Sequence, residues 1–214
     1  MTEAVETHAR DRRIAWHEAA HLTVGRALGA TYGGATVEEN AELGFNGLCW
    51  GPEWEARFSG QTSSVIEQID TLMPGDGDTR DDVAEVYKHV HTRCVELAAG
   101  SEIEVLEFGD AWPATDDRKQ EQRLAALIFS TPEAVDAFIR ACRAEARAIL
   151  RRHADVLAAL AAALLQHRTL DGAQIDEVIA RAVAARQHEE EQERRRAWQE
   201  TIARAERFKE QHRD

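Results

Sequence analysis

The chain has 214 residues, 43% of them hydrophobic and 30% charged, the composition of a folded globular protein with a sizeable core. Its formal net charge of -13 and pI near 5.2 argue against nucleic acid as a partner and against an anionic membrane surface, since both need a basic patch. Cys49, Cys94 and Cys142 show no CxxC spacing, no run approaches a membrane span, and MTEAVETHARDRR has no apolar stretch; a reduced, cytoplasmic protein without a disulfide framework is expected.

From about Thr7 to Leu28 the pattern is helical, with Ile14, His17, His21, Val24 and Leu28 recurring at steps of three and four. Gly29 follows as a stop. Between residues 31 and 52 glycines, β-branched residues and aromatics predict two short strands, Ala35-Thr36-Val37 and Gly44 to Trp50, joined by the polar loop Glu38 to Leu43. Thr62 to Leu72 reads as a short helix, and Pro74 to Asp78 as a loop. A second long helix is predicted from Asp81 to Ala99, closed by Gly100, with Glu102 to Phe108 as a further short one. Thr115 caps a helix from about Asp116 to Phe129, with two aspartates in its first turn. Thr131-Pro132 opens another, which carries an apolar stripe from Val135 to Leu150. Ala154 to Leu165 follows, and Leu170 to Gln174 reads as the capped start of the helix bearing Ile175, Ile179 and Val183. After Arg186 charges of both signs alternate at helical spacing, which predicts an exposed helix. Its thin apolar seam of Trp198, Ile202, Ala205 and Phe208 is expected to pack against the same domain rather than a coiled-coil partner.

Inside the first helix lies His17-Glu18-Ala19-Ala20-His21. Histidines four apart on a helix share a face, and both can reach one ion. Zinc takes such nitrogen ligands and, in catalytic sites, keeps a position for water. Glu18, one residue round the helix from His17, suits a base that deprotonates water acidified by the metal. A third ligand is needed. The extension HxxGxxH is absent, because Val24 and Ala27 stand in the decisive places. The acids Glu102, Glu104, Glu107, Asp116 and Asp117 all remain open on spacing alone. His89, His91 and Cys94 lie close together but do not read as a second metal site, and His153, His167 and His188 read as solvated. Trp16 and Trp112 flank the motif segments and read chiefly as packing residues.

The segment Ala15 to His21 resembles the start of the peptidase domain of the FtsH-type ATP-dependent proteases. Leu97-Ala98-Ala99-Gly100-Ser101-Glu102 with Glu107-Phe108-Gly109, then Ala114-Thr115-Asp116-Asp117, then Thr169-Leu170-Asp171-Gly172, are similar to further segments of that family in the same order. The resemblance implies Asp117 as the third zinc ligand beside His17 and His21, Glu18 as general base, and a β element whose edge holds extended substrate, here Gly44, Phe45, Asn46, Gly47, Leu48 and Cys49. It implies a mainly α, zincin-like peptidase domain over residues 1–185 with a small β hairpin and a charged helical extension over 186–214. The chain departs from the family at Ala20 (usually glycine), Ser101 (usually arginine) and Asp116 (usually asparagine), and residues 54–82 have no counterpart. No GxxxxGK[ST] phosphate loop occurs. The expected activity is zinc-dependent endopeptidase cleavage of peptides or unfolded protein, ATP-independent by itself, with a homo-oligomer or an ATPase acting in trans as partner. A catalytically inactive interaction protein that keeps the fold is the alternative, and a hydrolase of small amides the third.

Overall fold

Helix-forming residues dominate the sequence, and the computed structural model, which describes residues 2–40, 46–52, 80–112 and 115–211, is mainly helical. Helix α1 (Thr2–Ala27) carries the first apolar stripe and extends further toward the N-terminus than the periodicity required. It ends at Gly29, whose φ of 91 is a conformation glycine adopts freely. Strands β1 (Gly34–Thr36) and β2 (Leu48–Trp50) follow, then helices α2 (Arg80–Phe108), α3 (Thr115–Ile128), α4 (Pro132–Arg152) and α5 (Ala154–His167), strand β3 (Thr169–Asp171) and helix α6 (Gly172–Gln211).

Two helix starts follow from their cap residues. Thr131 accepts a hydrogen bond from the Ala134 amide at 3.3 Å, with Pro132 in the first turn of α4. At α6 the Asp171 carboxylate accepts from the Gln174 backbone amide at 2.8 Å while the Gln174 side-chain Oε1 accepts from the Asp171 backbone amide at 2.9 Å, a reciprocal box.

The sheet has the order β2-β1-β3 with both pairings antiparallel, and Ala35 lies between Cys49 and Leu170. Strand β3 was not expected. It is three residues long and buries only Leu170, so little in its sequence marks it as a strand. Helix α1 packs on α2 and α5, and α2 also packs on α4 and α3. Leu22, Val90, Leu124, Leu150, Leu160 and Leu164 fill the shared core.

Two expectations need correction. Gly100 does not close the second helix, because α2 runs unbroken to Phe108; the glycine answers to a neighbour described below, and the stop comes at Gly109, with φ 84. The charged extension is helical and exposed, as expected, and it continues the preceding helix without a break, so that α6 is 40 residues long. Its seam does not pack on the domain: Trp198, Ile202 and Phe208 are 66%, 42% and 61% exposed, as α6 runs past the end of the core. Ala20, fully buried, is accommodated within the core, and Ser101 bonds the Ala98 carbonyl of its own helix at 3.2 Å. The readings of Thr62 to Leu72 and Pro74 to Asp78 lie outside the described residues.

Candidate metal centre

Helix α1 presents His17 and His21 one turn apart, with ring centroids separated by 4.8 Å. The first turn of α3 brings Asp117 to the same point. Asp117 Oδ2 lies 3.2 Å from His17 Nε2 and 3.5 Å from His21 Nε2. One ligand atom from each of the three residues falls within 4.8 Å of the others, a cluster that could hold a metal ion. Bonds of about 2.0–2.1 Å arranged tetrahedrally separate ligand atoms by about 3.3 Å, so these two separations fit the edges of a zinc tetrahedron. Two nitrogens and one carboxylate oxygen are also a donor set that zinc accepts, with a fourth position left open.

The histidines are held so that Nε2 faces this point. His21 Nδ1 donates to the Glu96 carbonyl at 2.9 Å. His17 Nδ1 lies 2.7 Å from Glu104 Oε1 and donates to that carboxylate. Glu104, 2% exposed, also accepts from Arg13 Nη2 at 2.9 Å and from the Trp112 amide at 2.6 Å. Arg13 lies over the Trp112 ring at 4.8 Å and donates to the Asp110 carbonyl at 2.6 Å. Such partners on the far nitrogen select the tautomer and orient the ring of a metal-binding histidine. Gly100 completes the setting. A Cβ there would lie 2.3 Å from His17 Cε1, so α2 can approach the imidazole only where it has no side chain.

The electrostatics favour positive charge. Burial alone would lower the His17 imidazole, but hydrogen bonds to Asp117 and Glu104 and the nearby charges of Glu18 and Asp117 outweigh it and raise its pKa to about 10. His21 is likewise raised: burial opposes protonation, and Asp117 prevails. Burial would raise the Asp117 carboxyl, yet the two imidazoles hold it far below the usual carboxylate range. Imidazoles that favour protonation beside a carboxylate that favours ionisation mark a site of negative potential, suited to a cation.

Glu18 lies beside the cluster, 6% exposed. Burial raises its carboxyl above the ordinary value, against the lowering effect of His17 and His21. Cys49 donates its thiol hydrogen to Glu18 Oε2 at 3.1 Å. Gly47 lies over the same side chain, where a Cβ would come within 2.7 Å of Glu18 Oε1. All these groups open on one cleft of about 330 Å³, lined also by Asn46, Leu48, Arg93, Trp112, Asp116 and Gln120.

Of the sequence-derived candidates, His17, Glu18, His21, Asp117, Asn46, Gly47, Leu48 and Cys49 meet at this cleft. Gly44 and Phe45 lie outside the described residues. Among the open acids, Glu102 pairs with Arg147 at 2.6 Å, Glu107 faces Arg12 at 4.0 Å, and Asp116 is exposed at the cleft rim. His91 pairs with Glu145 at 3.0 Å, while Cys94 is buried in the core, so the two do not form a metal site. Sequence reasoning missed Glu104 as the partner of His17, and missed Arg13 and Glu96 altogether. The one signal for Glu104 was its position one turn beyond Gly100 on the face that meets α1. No helix among the described residues is long and apolar enough to cross a membrane. Compared with protein-family models and with curated proteins, the chain matches none.

Proposed function

We propose that the chain is a zinc-dependent metalloendopeptidase of the FtsH-peptidase type that cleaves peptides or unfolded protein segments. The observation that carries this reading is the convergence of His17 Nε2, His21 Nε2 and Asp117 Oδ2 beside a buried carboxylate in a cleft. Zinc held by these three residues would supply Lewis acidity, lowering the pKa of a water and polarising a carbonyl. Glu18 accepts the proton of the attacking water on a carboxylate oxygen and returns it to the leaving amine. The Cys49 thiol holds that carboxylate in place, and Gly47 leaves it the room a side chain would take. Strand β2 is an edge of the sheet among the described residues, and it forms one rim of the cleft. An extended peptide can add to that edge through its main chain, which leaves side-chain tolerance broad.

The test has two arms. Purified protein should carry about one equivalent of zinc, and His17→Ala and Asp117→Ala should lose it. Glu18→Gln should keep the metal and lose cleavage of unfolded casein by at least about 100-fold. Undiminished turnover in Glu18→Gln would refute the mechanism, and zinc retention in Asp117→Ala would refute the ligand set.

A further inference from the structure

The described residues lining the cleft include a single guanidinium, Arg93, among five carboxylates: Glu18, Glu96, Glu104, Asp116 and Asp117. Arg93 projects from α2, three residues before Glu96, and its Nη1 lies 2.9 Å from Glu96 Oε2. That contact uses a small part of its capacity, since a guanidinium offers five N–H donors in a planar fork. Its Nε is buried and has no hydrogen-bond partner among the described residues. A third of the side chain remains exposed. Glu96 has partners besides Arg93: the Tyr32 hydroxyl lies 2.7 Å from its Oε1, and its carbonyl receives His21 Nδ1. Ion pairing with Glu96 therefore leaves much of this cation's hydrogen-bonding capacity unaccounted for.

We propose that Arg93 is a specificity-determining residue that anchors a carboxylate of the peptide substrate, from a free C-terminus or an acidic side chain near the scissile bond. The inference rests on the peptidase reading and deepens it by naming a substrate class. Its physical basis is the match between a planar fork and a carboxylate, which takes two parallel hydrogen bonds. The surrounding acids sharpen the selection. Away from the metal centre carboxylates dominate the described lining, so the favourable contact for an anionic peptide there is this one side chain.

The experiment uses two matched peptide pairs, one ending in a free acid or an amide, the other carrying Glu or Gln beside the cleaved bond. Each is measured for cleavage by the wild-type protein and by Arg93→Met, and for binding to zinc-loaded Glu18→Gln with and without Arg93→Met. In one pair the acid should exceed its neutral partner by at least about tenfold in kcat/KM, through KM, and Arg93→Met should make the two equal. Which pair responds identifies the source of the carboxylate. No acid preference in either pair, or a preference that survives Arg93→Met, overturns the inference while leaving the peptidase reading intact. If no peptide is cleaved, the peptidase reading fails, and Arg93-dependent binding of the acid to Glu18→Gln decides the inference alone. Should Arg93→Met fail to fold, Arg93→Lys keeps the charge without the fork and should lower the acid preference; an unchanged preference counts against the proposal.

Discussion

At the scale of single residues, the candidate centre depends on groups that touch the imidazoles rather than on the imidazoles alone. Glu104 is the clearest case, because its carboxylate accepts from His17 Nδ1 while Arg13 and the Trp112 amide hold it fixed. Glu104→Gln should weaken zinc binding by about 10–100-fold, measured by competition with a chromophoric chelator, with the helical content unchanged. Gly100→Ala tests the same ring from the other side. Its methyl would meet His17 Cε1 at 2.3 Å, so either α2 or the imidazole must shift. The variant should lose about 1–3 kcal/mol of stability and bind zinc more weakly; unchanged melting and metal content would contradict the close approach.

The charge state of His17 gives a pH dependence with a definite sign. Its folded pKa lies above the ordinary 6.5, at about 10, so its contribution to the metal-free fold is complete below pH 6.5 and disappears as pH rises through 10. A histidine binds a metal only through a deprotonated ring nitrogen, so zinc and the proton on His17 Nε2 compete. Zinc uptake near pH 7.5 should release about one proton or more, seen as calorimetric heats that differ between buffers of unlike ionisation enthalpy. Heats that do not depend on the buffer would contradict it.

Among the elements, those governed by local chemistry were legible and those set by distant partners were not. Thr131-Pro132 and Asp171 with Gln174 announce helix starts because the cap residues act on their own backbone. The i, i+4 histidines could be placed on one face for the same reason. Strand β3 was invisible, since three residues acquire strand character only by pairing with β1 across more than 130 positions. Gly100 misled for a related cause. A mid-helix glycine costs about 1 kcal/mol against alanine, which reads as a stop until the approach of His17 to α2 is known. Asp117 needed the family resemblance, because spacing could not separate it from four other acids. Helix α6 supplies the element-scale prediction. Ile175 is buried, and Val178, Ile179, Ala182 and Val183 pack on the core, whereas Trp198, Ile202 and Phe208 stand in solvent. Ending the chain after residue 187 should leave zinc content intact and change stability by less than about 1 kcal/mol. Loss of the metal on truncation would show that the outer part of α6 supports the site.

Over the whole molecule, the proposed ligands join distant parts of the chain, for Asp117 follows His17 by 100 positions. Helices α1 and α3 contribute the donors, and α2 lies between them in sequence and packs on both. A cation held by all three side chains would therefore cross-link elements that otherwise meet through α2. Because the unfolded chain lacks the assembled site, zinc at about 1,000 times its Kd should add about 4 kcal/mol to stability. For a chain of this size that corresponds to a rise in Tm of about 8–16 °C. Dialysis against a strong chelator should remove the increment and readdition of zinc restore it, both followed by thermal melting. Asp117→Ala should melt at the same temperature with and without zinc. A metal-dependent shift that persisted in this variant would place the stabilising ion elsewhere, whereas a wild-type protein indifferent to chelation would mean that packing on α2 alone holds the two helices together.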